Sequence, residues 1–120
     1  MIEFLPQNEG HLVAVSFKGK VTHEEIEALT PMIDAQIDRE GGSICLLLDL
    51  LEFEGWEDLH AVWDHFILVK NHHKFVTRIA ILGHEDWERR FAEYAVRFTF
   101  AEVGYYEKGG RETAIAWLTR

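Results

Sequence analysis

The run Ile44-Cys45-Leu46-Leu47-Leu48, continued to Leu50 across a single carboxylate at Asp49, constrains this chain more than any other stretch. It is apolar at nearly every position and does not alternate. A strand with one wet face alternates apolar and polar residues. A strand that is apolar throughout is covered on both faces, as in the interior of a parallel sheet. Residues 78–82, closed by Gly83, repeat the pattern. Parallel neighbours need crossover connections, usually helical. The sequence between the two runs carries Leu59, Val62, Trp63, Phe66 and Val69 at helical spacing. That spacing predicts a helix over 56–71, entered from an acidic turn over 49–57 broken by Gly55.

The flanking sequence completes an alternating order. Residues 2–5 read as a strand closed by Pro6, and 11–18 as a second strand ended by Gly19. In the second, Leu12, Ala14 and Ser16 share one face and Val13, Val15 and Phe17 the other. The short polar connection predicts an antiparallel hairpin. Thr22-His23-Glu24-Glu25 fits a capping box, and Ile26, Leu29, Ile33 and Ile37 follow at helical spacing. A helix over 22–39 is therefore expected, kinked or split at Pro31 and stopped by Gly41-Gly42. Asp86 can cap a third helix in which Trp87, Phe91, Tyr94, Ala95 and Phe98 share a face. Residues 102–106 form the last strand, and 112–118 a closing helix with Ala114, Trp117 and Leu118 inward. The order is β-β-α-β-α-β-α-β-α. It predicts a single α/β domain over 1–120: a mostly parallel sheet of four to five strands, opened by an antiparallel hairpin and packed by helices.

Three segments carry a family resemblance: Leu47-Leu48-Asp49 through Glu54-Gly55-Trp56, Ile79-Ala80-Ile81-Leu82-Gly83 followed by Trp87, and the ending Ala114-Ile115-Ala116-Trp117-Leu118. In this order and spacing the chain resembles the SpoIIAA-like family, relatives of the STAS (anti-sigma-factor antagonist) domains, over essentially its whole length. The resemblance implies the same fold and a non-enzymatic role in binding or regulation. Regulatory STAS domains carry a phosphorylatable serine where the third strand meets the next helix. This chain has no Ser or Thr from Ile44 to His65, so that switch does not carry over. The resemblance also implies an apolar ligand or a membrane surface met by the second and third helices.

Composition removes several function classes. The formal charge is -9, which opposes a nucleic-acid role, because phosphate binding needs a concentrated basic surface. Cys45, the single cysteine, forms no intrachain disulfide and is expected to be buried. A cytoplasmic location follows, peripheral to the membrane if a lipid surface is the ligand. No apolar stretch approaches the roughly 20 residues of a membrane span. There is no GxSxG elbow, no GxGxxG or GxxxxGK phosphate loop and no HExxH. No catalytic residue, metal site or cofactor is therefore assigned. His60 and Asp64, four apart, supply two ligands where zinc takes three or four. Gly109-Gly110-Arg111 at a helix start reads as a plain turn or an anion site.

Two contact surfaces remain as candidates. Aromatic residues cluster on the second and third predicted helices and their flanks, with basic residues beside them. In the first reading Trp56, Trp63, Trp87, Tyr94 and Phe98 line a groove for an apolar or amphipathic ligand. Lys70, Arg90 and Arg97 then meet an anionic headgroup. In the second, Asp49, Glu54, Gly55 and Trp56 form the docking face of a STAS-type protein-interaction domain. Self-association through exposed aromatics is compatible with either.

Overall fold

The computed structural model of the chain describes residues 1–57, 75–83 and 102–120. Within them lie β1 (Ile2–Phe4), β2 (Leu12–Val21), α1 (His23–Arg39), β3 (Ile44–Trp56), β4 (Val76–Leu82), β5 (Glu102–Tyr106) and the C-terminal helix α2 (Arg111–Leu118). The strands form one five-stranded sheet in the order β1-β2-β3-β4-β5. β1 and β2 are antiparallel, and every other neighbouring pair is parallel. This is the expected architecture, with β3 central. The predicted helix over 86–98 lies outside the described residues, as does the predicted helix over 56–71 beyond Glu57.

The period-2 pattern of β2 decides what covers each face. Val13, Val15, Phe17 and Val21 join Ile26, Leu29, Ile33 and Ile37 of α1 in one core cluster. Leu12 and Ala14 join Leu47, Ala80, Leu82, Ala114 and Leu118 in a second, under α2. β3 is apolar on both sides because it serves both: Ile44 and Leu50 turn to α1, Leu47 to α2.

α1 begins as its sequence dictates. The Thr22 hydroxyl accepts from the Glu25 N–H at 3.2 Å, and the Glu25 carboxylate accepts from the Thr22 N–H at 3.1 Å. The helix ends at Gly41 and Gly42, both at positive φ. The expected interruption at Pro31 does not split it: α1 is one helix from His23 to Arg39. Proline removes one backbone hydrogen bond, at a cost of about 3 kcal/mol. Burial of the Ile26, Leu29, Ile33 and Ile37 stripe outweighs that, at about 1.5–3 kcal/mol per side chain. Gln36, 3% exposed, ties the helix to the hairpin by donating to Gly10 O (2.8 Å) and Leu12 O (3.1 Å).

Glu25 also lies 3.0 Å from the Met1 amino group. Partial burial alone would push its pKa up. The ammonium and the Thr22 N–H outweigh that and hold it below the ordinary carboxylate value. A lowered folded-state pKa contributes stability above the unfolded value and loses it as pH falls through the folded one. Glu25→Gln is therefore expected to be less stable than the parent at neutral pH, with the difference vanishing in acid. Thermal melts across that range check it.

Three further expectations are corrected. The stretch 49–57 is not a turn: β3 runs on to Trp56, and Glu57 N–H donates to Val21 O at 2.9 Å. Nor does Gly19 end β2, which runs to Val21. The two extensions pair with each other, and register shifts between Ser16 and Lys18 and between Gly19 and Lys20 leave extra residues in β3. Gly19 (φ 63°) and Gly55 (φ 113°) supply backbone that only glycine adopts freely, so they act as bulge residues. Leu50 and Phe53 are buried while Glu52 and Glu54 are exposed, as suits a strand with a wet side. Finally, Cys45 is half-buried rather than buried, with Sγ 3.4 Å from the Thr77 hydroxyl. It faces the gap beyond Leu118, where α2 ends.

Candidate functional site at the carboxyl edge of the sheet

Ligands of open α/β sheets gather at the carboxyl ends of the strands. Register places one row there on the α2 side: Glu3 opposite Ser16, Ser16 opposite Asp49, Asp49 opposite Leu82, Leu82 opposite Tyr106. Cross-strand partners share a face, so three polar side chains adjoin two apolar ones at this edge.

Asp49 is 6% exposed. Its Oδ2 accepts from the Arg111 guanidinium, and its Oδ1 accepts from the Leu51 N–H at 2.9 Å. Arg111 is the first residue of α2, delivered by the turn at Gly109 (φ 93°) and Gly110. The anion at this helix start thus comes from the chain itself, and the pair clasps α2 to β3. Arg78 makes a second fastening. It donates to Trp117 O at 2.8 Å, its guanidinium lies 5.3 Å over the Trp117 ring, and Nε is 3.5 Å from Glu102. Gly104 lets α2 come this close, since a Cβ there would sit 3.0 Å from the Tyr106 ring and 3.4 Å from Trp117.

Lys18 projects from the same face of β2, 3.2 Å from Glu3 and 3.7 Å from Glu52. Glu3, by hydrogen bond and by charge, raises its pKa, with smaller contributions from Glu52 and Asp49. Ser16 is 2% exposed. Sequence reasoning assigned none of Glu3, Ser16 or Lys18 to a site. Only their common parity along paired strands reveals them, and that needs the register.

Of the predicted docking residues, Asp49 is occupied inside the fold, whereas Glu54 is exposed beside Gly55. Trp56 is half-buried and turns to the α1 side, edge-on to Phe53 at 5.2 Å; Phe53 in turn meets Phe17 at 5.8 Å. The structure therefore brings Glu54, Gly55 and Trp56 together at the end of β3 and turns Asp49 away from them. Trp63, Lys70, Trp87, Arg90, Tyr94, Arg97 and Phe98 lie outside the described residues. Among the described residues no helix is long and apolar enough to cross a membrane.

A family profile described as SpoIIAA-like matches residues 12–119. The chain belongs to the SpoIIAA-like family. A crystal structure of an uncharacterised protein with a SpoIIAA-like fold from Shewanella loihica PV-4 agrees with it at a TM-score of 0.80 and 30% identity. The match covers 98% of this chain and 92% of that one. No curated protein matches the chain. The SpoIIAA-like match runs from β2 through α2 and does not rest on the carboxyl-edge cluster alone.

Proposed function

We propose that this SpoIIAA-like domain is a non-enzymatic binding module for an apolar or amphipathic ligand, or an anionic membrane surface, taken up through the segments that join β3 to β4 and β4 to β5. One observation carries the reading. α1 packs on β1 and β2, yet its side of the sheet continues beyond it as a half-buried apolar row: Leu46 and Leu48 on β3, Ile79 on β4, Val103 and Tyr105 on β5. Trp56 closes the same side at the end of β3. Such a row is a floor for apolar contact. The stretch after Trp56 carries Trp63, and the stretch after Gly83 carries Trp87, Tyr94 and Phe98. These would line the groove above that floor. Lys70, Arg90 and Arg97 would meet an anionic headgroup.

The test is co-sedimentation with vesicles of graded phosphatidylglycerol content, with uptake of an apolar fluorescent dye measured in parallel. Vesicle binding is expected to rise with anionic lipid and fall with salt. Arg90→Glu with Arg97→Glu should weaken it by about 1 kcal/mol per charge. If neither vesicles nor the dye bind at low salt, the reading fails.

A second reading is a STAS-type interaction domain. Glu52 and Glu54 are exposed beside Gly55 and Trp56, at the end of the central strand. It predicts a protein complex lost in Glu54→Ala and Trp56→Ala, and pull-downs indifferent to both changes would discard it.

A further inference from the structure

β1 is an edge strand whose outer side offers three kinds of complementarity at once. Leu5 N–H donates to Ala14 O (2.8 Å) and Lys18 N–H to Met1 O (2.7 Å). Backbone groups alternate along an antiparallel ladder, so those of residues 1, 3 and 5 turn to β2. The N–H and C=O of Ile2 and Phe4 then face outward, without a partner among the described residues. On the α1 side, Ile2 and Phe4 line a cavity of about 240 Å³ with Glu25, Ala28, Leu29 and Met32. Met1 and Met32, at 53% and 52%, are the large apolar side chains most exposed among the described residues, and both lie at this edge. On the other side, Glu3 and Glu52 place two carboxylates against the one ammonium of Lys18.

We infer that β1 accepts an extended segment of another protein as an added strand, with apolar residues at alternate positions and a lysine or arginine between them. Successive side chains of an added strand point to opposite faces. The apolar ones fall over the cavity, and the basic one falls beside Glu3, where the row is short of positive charge. The raised pKa of Lys18 reports the same negative field. A second copy of the chain fits less well. Antiparallel pairing of β1 with itself in the register that joins Ile2 to Phe4, which uses the outward groups of both residues on both strands, would set Glu3 directly against Glu3, and like charges so placed are destabilising. A charge on a short edge strand is a device against self-pairing, and the same charge selects a basic partner.

The test titrates the full chain at low salt with three labelled peptides. One alternates valine and lysine, one alternates valine and glutamate, and one is the lysine peptide N-methylated at alternate backbone positions. The lysine peptide is expected to bind about tenfold or more tighter than the glutamate one, and N-methylation should abolish binding. Amide shifts should centre on Ile2, Glu3 and Phe4, with the Met32 methyl moving as well. Glu3→Lys, with its fold confirmed by circular dichroism, should invert the preference. Binding indifferent to N-methylation, an unchanged preference in Glu3→Lys, or shifts centred elsewhere would each overturn the inference. So would self-association that perturbs Ile2 and Phe4 and resists the lysine peptide, because that result assigns the edge to a second copy.

Discussion

Leu47→Ala is expected to destabilise the protein by about 3–5 kcal/mol, the upper part of the range for buried leucine truncations. Leu47 is 0% exposed at the middle of β3. Its neighbours across the ladder are Ala14 on β2 and Ala80 on β4, and Ala114 and Leu118 of α2 belong to the same cluster. Three of those four are alanines, with no side chain long enough to move into the space. The void therefore stays open, which is the condition under which a truncation costs most. Urea denaturation should show a lower midpoint at constant m, and the melting temperature should fall by roughly 10–20 °C. Leu48→Ala, next along the strand but half-buried on the α1 side, should cost clearly less. Equal costs would mean that α2 does not seal its face of the sheet as described.

The fold was legible in the sequence and the site was not. Fold-level signals are periodic and local: an unalternating run at 44–50, a clean period-2 face split in β2, a capping box at Thr22. Each was readable without a neighbour. The stretch 49–57 misled because it holds four carboxylates and a glycine, a composition that looks like a turn when read alone. It is a strand because β2 is long enough to pair with it, and because Gly19 and Gly55 absorb the mismatch. That information lies some 35 residues away, in the partner strand. Asp49 shows the limit most clearly. Its place in a buried apolar run was visible, but Arg111, its partner 62 residues later, was visible only as a helix start after two glycines. A carboxylate that looks like a docking residue in one dimension is an internal fastening in three. At Pro31 the helix is not split, since the long-range burial of one helical stripe holds it together.

Arg111→Ala is expected to cost about 2–3 kcal/mol. Removing one partner of a fully buried ion pair costs about 3–5 kcal/mol, because the other charge is left without compensation. The Arg111 side chain is 37% exposed, so solvent screens part of the interaction and the figure is reduced. The cost falls unevenly on the two partners. Without Arg111, the 8%-exposed Asp49 side chain keeps only the Leu51 N–H. Without the Asp49 charge, Arg111 can turn to water. Asp49→Asn should therefore cost less, about 1 kcal/mol. Placed in the Arg111→Ala background, it should restore stability, because it neutralises the stranded charge and its amide oxygen can still accept from Leu51. A double-mutant cycle reads this as a coupling of about 1–2 kcal/mol. The comparison of the double variant with Arg111→Ala separates two accounts of α2. If the double variant is more stable than Arg111→Ala, the buried charge is the term that matters and the clasp sets where α2 begins. If it is no more stable, α2 is held by Ala114, Leu118 and the Arg78–Trp117 contact alone, and the ion pair follows the docking of the helix instead of directing it.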